Sequence, residues 1–295
     1  MGRFNVWDTP WVNPRLLGGL GIIGAILLLG LIGPLFWDTS MATQRDSSAR
    51  FLPPVGFEHR RGEGTWEHPL GTDNRGRDLL AIVIVGAPNT FLIGFIAATI
   101  GIVVGIVLGF TAGFLGGWID DVIRLMTDIT LTIPALMVLI VLNSVLERID
   151  IATMAVIIAL FAWPRATRQI RAQVLTMRES GYVRMARLSG ASTIDIMFRE
   201  MLPNLIPYLF ASFIAGATGA ILAAVGLETL GLGPQTVPTL GGTIYDAYNG
   251  SALSTNLWWW WAVPTALLSI MFIGLLLVNL GLDEIANPRL RRASK

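Results

Sequence analysis

Between Leu79 and Ile119 not one side chain carries a charge. That is about twice the ~20 apolar residues a helix needs to cross ~30 Å of hydrocarbon. Apolar runs recur at Leu16–Trp37, Ile119–Leu146, Ile151–Trp163, Leu205–Leu230 and Trp258–Leu282. Of the 295 residues, 53% are hydrophobic and 14% charged, against about a quarter charged in a soluble domain. One core of this size cannot hide so much apolar surface. In hydrocarbon the backbone must satisfy its own hydrogen bonds. The reading is an all-α polytopic membrane protein with six transmembrane helices.

Charge placement orients the spans. Arg3 and Arg15 precede the first run, and no basic residue follows until Arg45, which puts the N-terminus on the cytoplasmic side. Ser40-Met41-Ala42 resembles a signal-peptide cleavage site, but the run before it is longer than a signal core, so an anchor is the better reading. Arg289, Arg291, Arg292 and Lys295 hold the C-terminus on the same side. The chain then divides into a cytoplasmic N-terminus with the first span (1–37), an extracytoplasmic and interfacial segment (38–87), a five-helix core (88–283) carrying a cytoplasmic loop (165–203), and a cytoplasmic tail (284–295).

Within those divisions, residues 38–78 are too few and too rich in turn formers for a core of their own. His59 and His68 both lie there and read as loop residues. Leu79–Ala87 reads as an interfacial lead-in and Pro88–Phe114 as one helix. Gly94, Gly101, Gly105 and Gly109 make a stripe suited to close helix packing, and Gly113–Trp118 a tight turn. In the third span Asp120, Asp121, Arg124 and Asp128 stack opposite charges, so Asp128 reads as a local pair with Arg124. Pro134 kinks that span, and Glu147, Arg148 and Asp150 mark the turn after it. Trp258–Trp261 reads as an interfacial aromatic belt.

Some chemistry is excluded. Lys295 is the only lysine, so no phosphate-cradling Gly-Lys-Ser/Thr exists. There are no cysteines and two histidines, which leaves no thiolate metal site, zincin or haem relay, and no catalytic or metal residues are assigned. A net charge of +1 gives no global field for nucleic acid.

The apolar rhythm breaks from Arg165 to Pro203. Arg165, Arg168, Arg171, Arg178, Arg184, Arg187 and Arg199 face only Glu179, Asp195 and Glu200 there. Such a loop belongs on the cytoplasmic side and is long enough for two helices broken at Gly190 and stopped by Pro203. Gly190 accepts the positive φ of a sharp turn. Ala186 and Ala191 allow close approach, and Tyr182 supplies an amphipathic anchor. Most of the arginines read as headgroup anchors, with Arg184 and Arg187 as the contacts. Lacking its own phosphate loop, the chain can receive ATP energy only through contact with another chain.

The same loop resembles the Glu-Ala-Ala loop of ABC importer permeases: Arg184-Met185-Ala186, then Gly190, then Leu202-Pro203 at the family's offsets. It departs at Arg184 for Glu, Met185 for Ala and Glu200 for Ile. Three more stretches resemble the oligopeptide/dipeptide permease family, C-type subunit, in order: His68-Pro69-Leu70-Gly71-Thr72-Asp73 through Gly76-Arg77-Asp78, Leu230-Gly231-Leu232-Gly233, and Asn287-Pro288-Arg289-Leu290-Arg291. The resemblance covers nearly the whole chain and implies the type I ABC importer permease fold. It implies a heterodimer with a related permease subunit, two cytoplasmic ATPases that carry ATP and Mg, and an extracytoplasmic substrate-binding protein. It implies no cofactor in this chain and no catalysis by it. The coupling element would be Tyr182, Val183, Arg184, Met185, Ala186, Arg187, Gly190 and Ala191. Glu228 stands either on the translocation path with Gly231 and Gly233 or as an interfacial cap. Peptides are the expected solute, with nickel, glutathione or oligosaccharide as alternatives. An ion-coupled secondary transporter fits less well, since most spans lack central charge and no internal repeat is evident. A membrane enzyme fits least, for want of any catalytic motif.

Overall fold

The computed structural model describes residues 13–146 and 148–286. Arg3, Glu147, the Asn287–Arg291 stretch and the basic residues Arg289, Arg291, Arg292 and Lys295 lie outside the described residues. Helix α1 (Pro14–Phe36) starts with Pro14 in its first turn and Asn13 as N-cap, whose side chain accepts from the Arg15 N–H at 2.9 Å. A short 3-10 turn (Thr39–Ala42) and a two-stranded antiparallel hairpin, β1 (Glu58–His59) with β2 (Gly62–Glu63), follow.

Helix α2 (Leu79–Leu115) is continuous through Pro88. The stretch expected as an interfacial lead-in, up to Ala87, is helical and continuous with the rest of α2. Pro88 is accommodated because its ring fills the space beside Gly30 of α1, where any Cβ would collide with it. Gly116 (φ 69°) and Gly117 (φ 61°) end the helix with two left-handed residues that other side chains adopt only under strain.

Next, α3 (Gly117–Thr132) and α4 (Ala135–Val145) are bent from each other by 76°. The kink expected at Pro134 is thus a full break. Helix α5 (Ile151–Arg178) runs well past Trp163, without interruption at Pro164. After it come α6 (Gly181–Leu188), the single turn α7 (Thr193–Asp195), a π-helical turn (Ile196–Met201), α8 (Leu202–Glu228), α9 (Leu240–Asn249) and α10 (Trp258–Ala286). Among the described residues, five helical stretches are long and apolar enough to cross a bilayer, and six if the bent α3–α4 pair is counted as one span.

The glycine stripe packs as its spacing implies. Gly101, Gly105, Gly109 and Gly113 of α2 sit against Ala162, Ala166, Ile170 and Val174 of α5, so the two helices run parallel in contact. Gly94 is filled by Ile221 of α8, and α1 lies along α10 through Gly19, Gly274 and Gly281.

Two expectations about side chains are corrected. Trp259 and Trp260 are not a lipid belt: both are buried, in a cluster with Ala42, Leu79, Ile82 and Ala252. Trp258, Trp259 and Trp260 meet Phe57, His59 and Phe51 edge-on, which packs residues 38–78 onto the start of α10. Asp128 pairs not with Arg124 but with Arg168 of α5, while Arg124 reaches Asp121 at 3.1 Å. The reason is geometric: α3 packs on α5, and cross-helix arginines outcompete the local spacing.

Candidate functional site

At the arginine-rich end, α5 stops at Arg178 with Glu179 as C-cap, and Gly181 opens α6 at once. Helix α6 closes through three residues whose bonds define a Schellman ending: Gly190 N–H donates to the Arg187 carbonyl at 3.1 Å and Ala191 N–H to the Ala186 carbonyl at 3.1 Å. Gly190 takes φ 80°, and no atom lies near the position a Cβ would occupy. Backbone conformation, rather than crowding, demands glycine there.

The two faces of α6 differ. Val183 is fully buried among Phe110, Phe114, Ile170, Ile196 and Met201, with Ala186 and Ala191 packed beside it. Of the residues proposed for contact, Val183 therefore anchors the helix from inside. On the other face Tyr182, Met185 (65% exposed) and Leu188 (84% exposed) follow each other at three-residue spacing. Ile194 and Phe198 continue the exposed apolar surface beyond the turn. Sequence reading missed Leu188, Ile194 and Phe198; their signal was apolar residues spaced by a helical turn among arginines.

Most of the arginines bind inside the chain instead of serving only as headgroup anchors. Arg171 holds both oxygens of Asp120, the longer contact being 2.6 Å. Arg168 pairs with Asp128, and Arg178 donates to the Phe114 carbonyl at 3.2 Å. Arg184 reaches Glu179 at 3.0 Å, and that bond holds the Glu179 carboxyl below the usual range. Arg187 lies over the Phe114 ring, 5.8 Å from its centre. Arg184, standing where the family motif has an acid, thus finds its acid five residues upstream.

At the opposite end, α8 closes with the same device: Gly231 (φ 82°) N–H donates to the Glu228 carbonyl at 2.9 Å and Leu232 N–H to the Leu227 carbonyl at 3.0 Å. Glu228, Gly231 and Gly233 do come together, on the wall of a cavity of about 440 Å³. Glu228 is 1% exposed, held between Gly233 and Gly241 beside the first turn of α9, whose N-cap is Thr239.

The rest of that cavity belongs to a polar frame the sequence only hinted at. Arg75 and Arg77 reach Asp246 at 3.2 and 2.8 Å, and Arg77 also holds Asp73 at 2.6 Å. Behind them His68 Nδ1 lies 2.8 Å from Asp78, both buried, so His68 is a partner in a buried network and not a free loop residue.

A family model for binding-protein-dependent transport system inner membrane components matches residues 101–292. The oligopeptide transport system permease protein OppC of Lactococcus lactis subsp. lactis is 35% identical over 90% of this chain and 87% of its own length. The dipeptide transport system permease protein DppC of Haemophilus influenzae is 29% identical over 95% of this chain and 92% of its own. A putative peptide permease protein of Brucella suis is 30% identical over 76% of this chain and 74% of its own. With a membrane fold, a closed helical loop among arginines and these relatives in hand, the chain belongs to the family of binding-protein-dependent transport system inner membrane components.

Proposed function

We propose that this chain is one permease subunit of an ATP-driven importer of short peptides and forms half of the route through the membrane with a related subunit. The observation that carries the reading is the apolar stripe Tyr182–Met185–Leu188, exposed on a helix rigidly closed at Gly190 and set among arginines. Exposed apolar surface rimmed by charge marks a docking surface. One of the two ATPase subunits bound by the permease pair receives α6 on this side, with Tyr182, Met185 and Leu188 entering a cleft while Arg184 and Arg187 meet its rim. Val183, Ala186, Gly190 and Ala191 hold the helix so that ATPase motion reaches α2, α5 and α8 through the shared cluster. The basic stretch from the end of α5 through α6 to Pro203, and both termini, lie on the cytoplasmic side, as arginine placement favours.

At the other end Glu228, Gly231 and Gly233 close the route, and an extracytoplasmic binding protein delivers solute there. Relatives named for oligopeptide and dipeptide transport support peptides as that solute. The test is uptake into proteoliposomes. ATP-dependent dipeptide uptake that requires the ATPase subunits is expected. Uptake by this chain alone under an ion gradient would overturn the reading.

A further inference from the structure

Helix α5 has too little uncharged length for the membrane it crosses. Ile151 to Pro164 is the whole charge-free stretch, about 21 Å of helix against ~30 Å of hydrocarbon. Arg148 and Asp150 at its start prevent it from sliding further in that direction. Arg165 therefore lies within the thickness of the hydrocarbon layer, where a guanidinium facing lipid is costly and charged side chains turn to partners or water. The next two arginines along the helix have partners, Asp128 for Arg168 and Asp120 for Arg171. Arg165 is exposed and has no ion pair among the described residues.

What lies beside it is a groove of about 120 Å³ between α2, α5 and α8. Gln169 and Ser212 are its other polar side chains, and Ala98, Gly101 and Gly216 keep it open. The space lies on the Gly216 side of the groove. A Cβ on Gly105 would meet Ala166 at 2.6 Å, whereas one on Gly216 would find only the Ala98 Cβ, at 3.9 Å. Helix α2 carries no charge at all, and α8 none before Glu228 at its far end. The groove thus holds one cation and no anion.

We infer that the groove of Arg165, Gln169 and Ser212 is a water-filled wall of the solute route, and that Arg165 binds a carboxylate of the solute in passage. A guanidinium offers two parallel N–H groups matched to a carboxylate, and the small neighbours leave room for a peptide end. The inference rests on the transport reading above. It adds a binding group that neither the loop nor the Glu228 region supplies.

The chain has no cysteine, so each introduced thiol is unique in it. In the complete transporter in proteoliposomes, Arg165→Cys, Gln169→Cys and, on the far side of α5, Val156→Cys would be exposed to a membrane-impermeant, charged thiosulfonate. Labelling is expected at 165 and 169 and not at 156, with saturating dialanine slowing labelling of Gln169→Cys at least twofold. Dialanine uptake is expected to fall about tenfold in Arg165→Gln and to be largely kept in Arg165→Lys. Absent labelling at 165 and 169 overturns the inference, as it would if Arg165 reached a lipid phosphate or a carboxylate of the second subunit. Labelling unaffected by dialanine, with wild-type uptake in Arg165→Gln, overturns the carboxylate site. A wild-type assembly that imports no dialanine contradicts the peptide reading instead, and the labelling pattern still decides whether the groove is wet.

Discussion

Asp78 shows how much one residue can fix. Its carboxylate accepts from the Ala81 N–H at 2.6 Å, from Trp37 Nε1 at 3.1 Å, and faces His68 Nδ1 at 2.8 Å. It caps α2 and ties α1 and the hairpin segment to that cap. Removing an N-cap costs about 0.5–2 kcal/mol, and stranding buried donors adds about 1–3 kcal/mol. Asp78→Ala should therefore lose about 2–4 kcal/mol, read as a fall in unfolding temperature in detergent. Glu179 makes a gentler prediction. Its pKa lies below the usual carboxylate value because Arg184 bonds it, so the pair is complete at neutral pH. It is lost only as pH falls through that lowered value, below the ordinary ~4.3 of glutamate. Hydrogen exchange in α6, corrected for intrinsic rates, should be unchanged between pH 8 and 6 and faster in Glu179→Gln at both. The two α3–α5 pairs should also differ. Arg171–Asp120 is mostly buried and doubly bonded, while Arg168–Asp128 is exposed on both sides. Arg171→Ala should cost about 1.5–3 kcal/mol, as hydrogen bonds to charged groups do, and Arg168→Ala less than about 1 kcal/mol.

Among the elements, the α2–α5 contact is the one on which the others rest. Gly105→Ala would drive a methyl to within 2.6 Å of the Ala166 Cβ, an overpacking that costs about 1–3 kcal/mol. Gly18→Ala on α1 meets nothing within 4 Å and should be neutral in the same unfolding measurement. The glycine spacing made this contact legible in the sequence, because a four-residue repeat of small residues has few other uses in a span. The continuity of α2 was not legible. Pro88-Asn89 is a break signal, and only Gly30, distant in the chain, makes room for the proline ring. The tryptophans misled for a similar reason: Trp258–Trp261 matches an interfacial belt, and nothing local says that residues 38–78 fold over them. Asp128 reads locally as a partner of Arg124, since its true partner comes from α5.

For the whole molecule, the all-helical build and the helices apolar enough to cross a bilayer followed from apolar run length, a one-dimensional property. The inward turn of Val183 and the outward stripe of Met185 and Leu188 depend on how α6 lies on α2, α5 and α8, and so needed the fold. The burial of Glu228 against Gly233 and Gly241 needed it too. The central claim is that ATPase motion enters through α6. Because the chain has no cysteine, Met185→Cys supplies a unique thiol on the exposed stripe, and Leu253→Cys one at the opposite end. A short cross-linker with one thiol-reactive and one photoactivatable end, applied to the assembled transporter and illuminated, should join Met185→Cys to an ATPase subunit, and the joined complex should lose ATP-driven uptake. Cross-linking of Leu253→Cys to the ATPase, with none from Met185→Cys, would contradict the account.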